Sequence, residues 1–284
     1  GFVSVSDEIF NILKRINDEG KLKVRVFAYM NKNSKLKSME INEKLKIKGI
    51  KLFADGSLGA RTAYLTEMYS DEKTYGQIVE KKENIEQIIG DKDGQVAIHA
   101  IGDGGIDFAL DIAKDYGNVR IEHASVMRDD QLDLAKKLNL TLVVQPHFII
   151  SDFWIIDRVG KERMKWVYRF RDMVEKGINV AFSTDSPVEP VNPWLTIYAA
   201  MTRGKYEKLE IFNYTENQCL DLEESLYCYT MGSAKALQEY SIGSLEEGKF
   251  ADFIILERDP FHINDPGEVK NTTQQVYVSG QKVN

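Results

Sequence analysis

Residues 95–123 read QVAIHAIGDGGIDFALDIAKDYGNVRIEH and predict one complete unit of strand, helix and strand. Gln95–Ala100 and Asn118–His123 are short apolar stretches of the kind that forms buried parallel strands. Between them, Ile106–Tyr116 is predicted to form a helix. Regular alternation of strands and helices is typical of α/β proteins, so this unit sets the fold class.

The same alternation continues on both sides of this unit. Strands are also predicted at Lys23–Tyr29, Gly49–Ala54, Leu140–Gln145 and Asn179–Ser183, and helices at Asp129–Leu138 and at Lys161–Lys176, which ends at Gly177. A closed (β/α) barrel needs eight strands, two more than this count. We therefore predict an incomplete TIM barrel with strands three to eight; an open six-stranded sheet is the alternative. The start at Gly1, without Met and with helix-like sequence already at Val5–Ile16, leads us to expect a fragment of a longer protein.

The pattern changes towards the end of the chain. Helices are predicted at Pro193–Met201 and Leu222–Tyr240, followed by a turn and a strand within Ile242–Leu256 and by a last strand at Gln275–Val278. We predict two domains, a catalytic barrel over residues 1–240 and a small β appendage over residues 241–284.

Composition excludes several classes of function. The formal net charge of −7 argues against a nucleic-acid partner, because binding a polyanion needs clustered Lys and Arg. The apolar stretches are far shorter than a membrane span, so no membrane association is expected. The two cysteines, Cys219 and Cys228, match neither a metal-knuckle spacing nor a disulfide framework, and no signal-peptide pattern is visible. We expect a cytoplasmic protein.

Chemically useful side chains gather where the predicted strands end. The sequence has four histidines, and two of them, His99 and His123, end successive strands, where the top of a barrel would bring them together. Imidazole is a common ligand of Zn²⁺, so a structural role is the less favoured alternative for this pair. Asp185 follows the last barrel strand and is read either as a metal ligand that also takes a proton from water, or as an Asx-turn or helix cap before Pro187.

Lys51 lies within the apolar stretch Gly49–Ala54, and a charged lysine is costly to bury there. It is expected either to pair with an acid such as Asp55, or to have a lowered pKa and react with CO₂ to form a carbamate, an anionic ligand for metal ions. The run Gly102–Gly105 is read as a tight turn that leaves room for His99 rather than as a phosphate cradle.

Further side chains near the predicted strand ends are candidates for contact with a substrate. These residues are Tyr69, Gln145, His147, Tyr168 and Arg171. The fourth histidine, His262, lies in the terminal turn region and is expected to have no role in the site.

Taken in order, these motifs resemble the amidohydrolase superfamily, in the branch of YtcJ-like proteins and N-substituted formamide deformylases. The resemblance runs along essentially the whole chain and is carried by Ile50–Ala63, Ile98–Asp103, Arg120–Ala124, Ser183–Val188 and Gly243–Phe253. It implies a metal-dependent (β/α) barrel that hydrolyses C–N bonds of small molecules, with residues 241–284 as the remnant of a small β-sandwich.

The resemblance also implies roles for individual residues. Lys51 corresponds to the strand-four lysine, carbamylated in several relatives, His99 and His123 to the histidines of strands five and six, and Asp185 to the strand-eight aspartate that is ligand and proton acceptor. The expected cofactor is a divalent metal, Zn²⁺ first, as one or two ions.

The family's His-x-His pair of strand one has no counterpart among residues 1–284. One metal position is therefore expected to be incomplete and the chain by itself to be inactive. The alternative is that a homo-oligomer covers the open barrel edge. An ester or phosphoester hydrolase on the same scaffold, and a non-catalytic barrel that binds small molecules, are the other functions considered.

Overall fold

The computed structural model describes residues 1–91 and 93–283 and contains two β-sheets. The larger sheet has eight strands, of which seven are parallel and follow one another in chain order, while β3 pairs antiparallel with β4. Its strands are β1 (Phe2–Val5), β2 (Val26–Met30), β3 (Met39–Asn42), β4 (Leu45–Phe53), β5 (Gln95–Ala100), β6 (Val119–His123), β7 (Thr141–Val144) and β8 (Asn179–Phe182).

The large sheet curves into a barrel. Side chains from both of its ends, including Phe2 and Val3 on β1 and Ala181 and Phe182 on β8, line one cavity together with residues of the strands between them. A sequential order of parallel strands around a shared interior is the arrangement of a TIM barrel rather than of a doubly wound open sheet, in which the order reverses. Within the described residues, no strand pairs bridge β1 and β8. The barrel is therefore open along this edge.

The predicted count of six parallel strands was one too low. The additional strand is β1, which precedes the helix α1 by a single residue, Ser6, whose side chain caps that helix by accepting a hydrogen bond from the Ile9 N–H at 3.2 Å. The helix-like pattern at Val5–Ile16 thus belongs to α1, which begins at Asp7.

Helices follow most strands and cover the outside of the barrel. They are α1 (Asp7–Asp18), α2 (Lys82–Gly90), α3 (Asp103–Asp115), α4 (Asp129–Lys137), α5 (Phe148–Ser151), α6 (Ile155–Val159), α7 (Phe170–Glu175), α8 (Pro193–Thr202), α9 (Ile211–Thr215), α10 (Leu222–Tyr227) and α11 (Ser233–Ala236). Short 3₁₀ helices lie at Lys161–Trp166, Glu216–Gln218, Pro260–His262 and Pro266–Asn271, and a π-helix joins α10 to α11 at Cys228–Gly232.

The single helix predicted at Lys161–Lys176 was wrong, because the chain breaks between the 3₁₀ helix and α7. Val167 forms an isolated antiparallel bridge with Val126, and the Tyr168 N–H donates to the Ser125 carbonyl at 2.9 Å. Tyr168 has a φ of 49°, outside the helical region. Pairing with the loop after β6 therefore overrides the local helical pattern.

The main hydrophobic core lies between β4–β8 and their helices, and its largest fully buried side chains include Phe170, Ile98 and Ile106. The strands β5 and β6 are buried along almost their whole length, as expected for strands covered on both faces. This packing holds the carboxyl ends of the strands in fixed positions.

The second sheet is small and antiparallel, with the order β11, β10, β9. Its strands are β9 (Phe253–Leu256), β10 (Gln274–Val278) and β11 (Gln281–Lys282). Arg25 ties it to the barrel through two hydrogen bonds to Asp252, at 2.7 and 3.0 Å. The division into domains at residue 240 stays a prediction. None of the helices in the described part of the chain is long and apolar enough to cross a membrane.

Candidate metal centre

Lys51 lies near the end of β4 with its side chain in the barrel interior, where only 4% of its surface is exposed. Its Nζ has no hydrogen bond or ion pair within residues 1–91 and 93–283, and it lies over the Phe53 ring, 5.2 Å from the centroid. Burial lowers the pKa of Lys51 to about 8. The expected pairing with Asp55 is not formed, so the amine is available for chemistry.

His99, at the end of β5, has one ring nitrogen engaged and one free. Its Nε2 lies 2.8 Å from the carbonyl oxygen of Gly56, which can only accept a hydrogen bond. Nε2 therefore carries the proton, and Nδ1 presents its lone pair. Burial lowers the pKa of His99 to about 4, which keeps the ring neutral at physiological pH.

His123, at the end of β6, has the opposite tautomer. Its Nδ1 lies 2.7 Å from Oε1 of Gln145, whose amide nitrogen donates to the Val143 carbonyl at 3.1 Å and to Oγ of Ser183 at 2.8 Å. These two acceptors orient the Gln145 amide so that its oxygen faces the ring. Nδ1 of His123 therefore donates, and Nε2 is left with a free lone pair.

His123 is also held in an unusual backbone conformation. Its φ is 77°, and that of the following Ala124 is 48°. Non-glycine residues in this region are strained and are enriched at functional sites. The ring lies 4.4 Å from the ring of His99, centroid to centroid, and burial lowers the pKa of His123 well below its usual value. Two neutral imidazoles thus lie edge to face at the ends of adjacent strands, with 68° between their planes.

Asp185 lies three residues beyond β8 and lines the same cavity as Lys51, His99 and His123. Its φ is 51°, and in the part of the chain that the structure describes its carboxylate accepts no hydrogen bond. The alternative reading as a helix cap is wrong, because α8 begins at Pro193 and is capped by Asn192. Burial raises the pKa of Asp185, and the Lys51 ammonium lowers it.

The donor chemistry of these residues fits a divalent metal ion. Two imidazoles, the Lys51 amine and the Asp185 carboxylate line a single cavity of about 730 Å³, and within residues 1–91 and 93–283 neither the amine nor the carboxylate has a hydrogen bond or ion pair. Among the described residues, no three His, Cys, Asp or Glu side chains lie close enough together to hold a metal by themselves. Lys51, which lines the same cavity, is a further candidate ligand.

Asp55 binds the backbone N–H groups at the start of the glycine-rich run, so these groups are not available to a phosphate. Its carboxylate accepts hydrogen bonds from the N–H groups of Ile101, Gly102 and Tyr64 at 3.0, 2.8 and 2.9 Å. A Cβ on Gly105 would lie 2.3 Å from its Oδ2. The predicted tight turn is wrong: Gly102 is the N-cap of α3, and Asp103–Gly105 form the first turn of that helix. The missing side chain of Gly105 allows Asp55 to approach the start of α3. Burial raises the pKa of Asp55 to about 7.

The other predicted site residues are divided between the cavity and the protein interior. Gln145 lines the cavity. Tyr69 and Tyr168 are buried outside it and donate through their hydroxyls to the Ala63 carbonyl at 2.8 Å and to Asp152 at 2.6 Å. Arg171 binds the Cys219 carbonyl and Glu224 on the outer helices. These positions give no support for substrate contact by Tyr69, Tyr168 or Arg171.

Two groups near the centre were not found from the sequence. Arg120 and Glu122 line the cavity as a buried pair on β6, with Nε and Oε1 2.7 Å apart. Glu189 is buried in the loop after β8 and binds His147 and Ser151. The sequence shows an acidic residue four positions beyond Asp185. Only the fold shows that this residue, Glu189, contacts the segment after β7.

Comparison with known proteins finds relatives of this chain. The chain is 39% identical over 231 residues to YtcJ of Bacillus subtilis strain 168, which is named as an amidohydrolase; the match covers 78% of this chain and 44% of YtcJ. It is 27% identical over 178 residues to the N-substituted formamide deformylase of Arthrobacter pascens, covering 58% of this chain and 32% of the relative. The chain therefore spans less than half the length of either relative.

A solved structure shows the same fold. It is described as an uncharacterized metal-dependent hydrolase from Pyrococcus horikoshii OT3, and it matches with 47% identity and a TM-score of 0.88 over 92% of this chain and 56% of that chain. The model of the Amidohydrolase family matches residues 1–284. The incomplete barrel of the metal-dependent hydrolase type and the resemblance found in the sequence are confirmed: this chain belongs to the amidohydrolase family.

Proposed function

We propose that this chain carries the metal site of a hydrolase that cleaves C–N bonds of small molecules with water. The observation that carries the proposal is the pair of imidazoles with fixed tautomers, His99 and His123, together with the buried Lys51 amine, which has no hydrogen bond or ion pair in the described part of the chain. The names of YtcJ and of the formamide deformylase, and the description of the Pyrococcus protein, support it.

The proposed metal ligands are Nδ1 of His99, Nε2 of His123, Lys51 and Asp185, with Zn²⁺ as the first candidate. Lys51 would act as a carbamate: its neutral amine adds to the carbon of CO₂, and one proton is released to solvent. A pKa of about 8 keeps part of the amine neutral near pH 7, as this reaction requires. When bound, the metal supplies Lewis acidity that polarises a carbonyl and lowers the pKa of water.

Asp185 is the proposed general base and acid. Its carboxylate has no partner in the described chain, and burial raises its pKa, so that it can accept a proton from the attacking water more readily than an exposed aspartate. The same oxygen would return the proton to the leaving amine. In this proposal Gln145 fixes His123 and lines the substrate cavity, while a homo-oligomer would cover the edge between β1 and β8.

A panel of substrates tests this proposal. The 284-residue chain is stripped with a chelator, reloaded with Zn²⁺, and assayed against N-substituted formamides, simple amides, carboxylic esters and a phosphotriester. We expect turnover of the amide-like compounds that disappears on chelation. Preference for esters or for the phosphotriester would favour the alternative hydrolases, and ligand binding without any turnover would favour the non-catalytic barrel. Such turnover would show that the inactivity expected from the sequence is wrong, whereas a chain without turnover on any of these compounds would count against the proposal.

A further inference from the structure

Asp185 is a side chain without an anchor of its own. Its carboxylate accepts no hydrogen bond in residues 1–91 and 93–283, and its backbone is in the left-handed region. The turn that contains it is closed by one backbone bond, from the Val188 N–H to the Asp185 carbonyl at 2.9 Å. The position of this carboxylate therefore depends on what holds the ends of its loop.

The near end of the loop is tied to β7. The Ser183 N–H donates to the Val144 carbonyl at 2.9 Å, and the Ser183 hydroxyl accepts a hydrogen bond from the Gln145 amide at 2.8 Å. Because Gln145 also binds His123, it connects this end of the loop to the imidazole site.

The far end of the loop is tied by Glu189. Its side chain is buried, and each carboxylate oxygen has one partner: Oε2 accepts from Nδ1 of His147, and Oε1 accepts from the Ser151 hydroxyl. Both donors belong to the segment after β7. A buried carboxylate is stable only when such donors compensate for its lost hydration, so these contacts hold the loop firmly.

The segment that receives Glu189 also touches the imidazole site. Phe148, which begins α5, stacks on the His123 ring with 6.1 Å between centroids and 10° between planes. The four-residue helix α5 therefore contacts His123 through its first residue and Glu189 through its last, Ser151. Asp185 therefore lies between two anchored residues, Ser183 and Glu189. Ser183 is connected to His123 through Gln145, and Glu189 is connected to it through α5.

We propose that Glu189 is a positioning residue that holds Asp185 at the cavity by anchoring the loop after β8 to His147 and Ser151. This inference rests on the proposed function, in which Asp185 moves the proton. Glu189 does not line the cavity, so it acts through the loop and not by touching a substrate.

Hydrogen exchange tests the anchor without any assay of activity. The full chain is compared with Glu189→Ala and with Val191→Ala, an exposed residue two positions further along the loop. We expect the backbone amides of Ser186 and Val188, which donate to the Thr184 hydroxyl and the Asp185 carbonyl, to exchange at least about tenfold faster in Glu189→Ala and at the wild-type rate in Val191→Ala. Unchanged exchange at these two amides in a folded Glu189→Ala protein would overturn the proposal. Should that variant fail to fold, Ser151→Ala, which removes one donor, is read by the same criterion.

Kinetics and zinc binding show whether Glu189 positions Asp185 or only stabilises the fold. In an active wild type, Glu189→Ala should lower kcat about 10- to 100-fold with KM unchanged. Zinc should still bind, because His99, His123 and Lys51 remain as proposed ligands. His147→Ala should lower kcat in the same direction, and the double variant should be no worse than Glu189→Ala, because both changes break one unit. If the loss of kcat in the double variant equals the product of the two single losses, the proposed anchor is overturned. A wild type without turnover on any substrate would count against the proposed function, while the exchange result would still decide the anchor.

Discussion

Nδ1 of His123 lies 2.7 Å from Oε1 of Gln145, and this single contact determines which nitrogen of the ring can bind a metal. Gln145→Leu removes the acceptor at similar volume, so the ring loses its fixed tautomer. We expect the zinc affinity to fall about 10- to 100-fold, as is typical when a partner of a metal-binding histidine is removed. Competition with a fluorescent chelator measures this affinity. Gln87→Leu, on the exposed surface of α2, is the control, and equal affinities for the two variants would contradict the assignment.

Asp152 gives the protein a pH-dependent stability that can be measured. Burial raises the pKa of Asp152 from 3.8 to about 6. The hydrogen bond from the Tyr168 hydroxyl lowers this pKa, and the charge of Glu189 raises it. The folded state therefore holds a proton between pH 4 and 6 that the unfolded state has lost, and the free energy of unfolding falls as pH rises through this range.

Asp152→Asn keeps an acceptor for Tyr168 but cannot ionise. Relative to wild type it should gain stability from pH 4 to pH 7, by up to about 3 kcal/mol at 1.36 kcal/mol per pKa unit. Urea unfolding at both pH values measures the difference, with pH 4 as the internal control because Asp152 is then protonated in the wild type. The same difference at pH 4 and pH 7 would contradict the raised pKa.

Asp185→Asn should abolish most of the activity without unfolding the protein. The amide cannot accept the proton of the attacking water, so kcat is expected to fall about 10²- to 10⁴-fold. Thermal unfolding should stay close to wild type, since the carboxylate makes no hydrogen bond within the described residues. The exposed Asp259→Asn serves as the control. Wild-type kcat in Asp185→Asn would remove Asp185 from the proposed reaction.

Gly105 and Gly90 form a matched pair for the packing of Asp55. A Cβ on Gly105 would lie 2.3 Å from the Asp55 carboxylate, whereas one on Gly90 would meet nothing within 4 Å. Gly105→Ala should therefore lower the free energy of unfolding by about 1–3 kcal/mol, and Gly90→Ala should leave it unchanged or raise it slightly. Chemical denaturation measures the free energy of unfolding of both variants. A value for Gly105→Ala equal to that of the wild type would show that the Asp55 carboxylate can move away without cost.

The strands were predictable where local sequence and burial agree. β5 and β6 are apolar and covered on both faces, so their composition alone marks them. β4 was found only in its second half, because Lys46 and Lys48 alternate with buried residues in the first half and bind Glu239. β1 was missed since its four residues run directly into a capped helix.

The candidate site was predictable as a set of residue types but not as an arrangement. Lys51, His99, His123 and Asp185 could be chosen because each is chemically unusual at its strand end. The contacts that orient them join distant parts of the chain: Gly56 binds His99 across 43 positions, and Glu189 binds His147 across 42. Tyr69, Tyr168 and Arg171 were selected by residue type alone, and their partners in the interior could not be foreseen.

The account depends most on whether the two imidazoles hold a metal ion. Elemental analysis of the 284-residue chain, loaded with Zn²⁺ and dialysed, tests this in the wild type, in His99→Asn and in His123→Asn, with His262→Asn as the exposed control. We predict close to stoichiometric zinc in the wild type and in His262→Asn, and loss of most of it in the other two variants. Absence of zinc from the wild type, or equal zinc in all four proteins, would contradict the proposed metal centre.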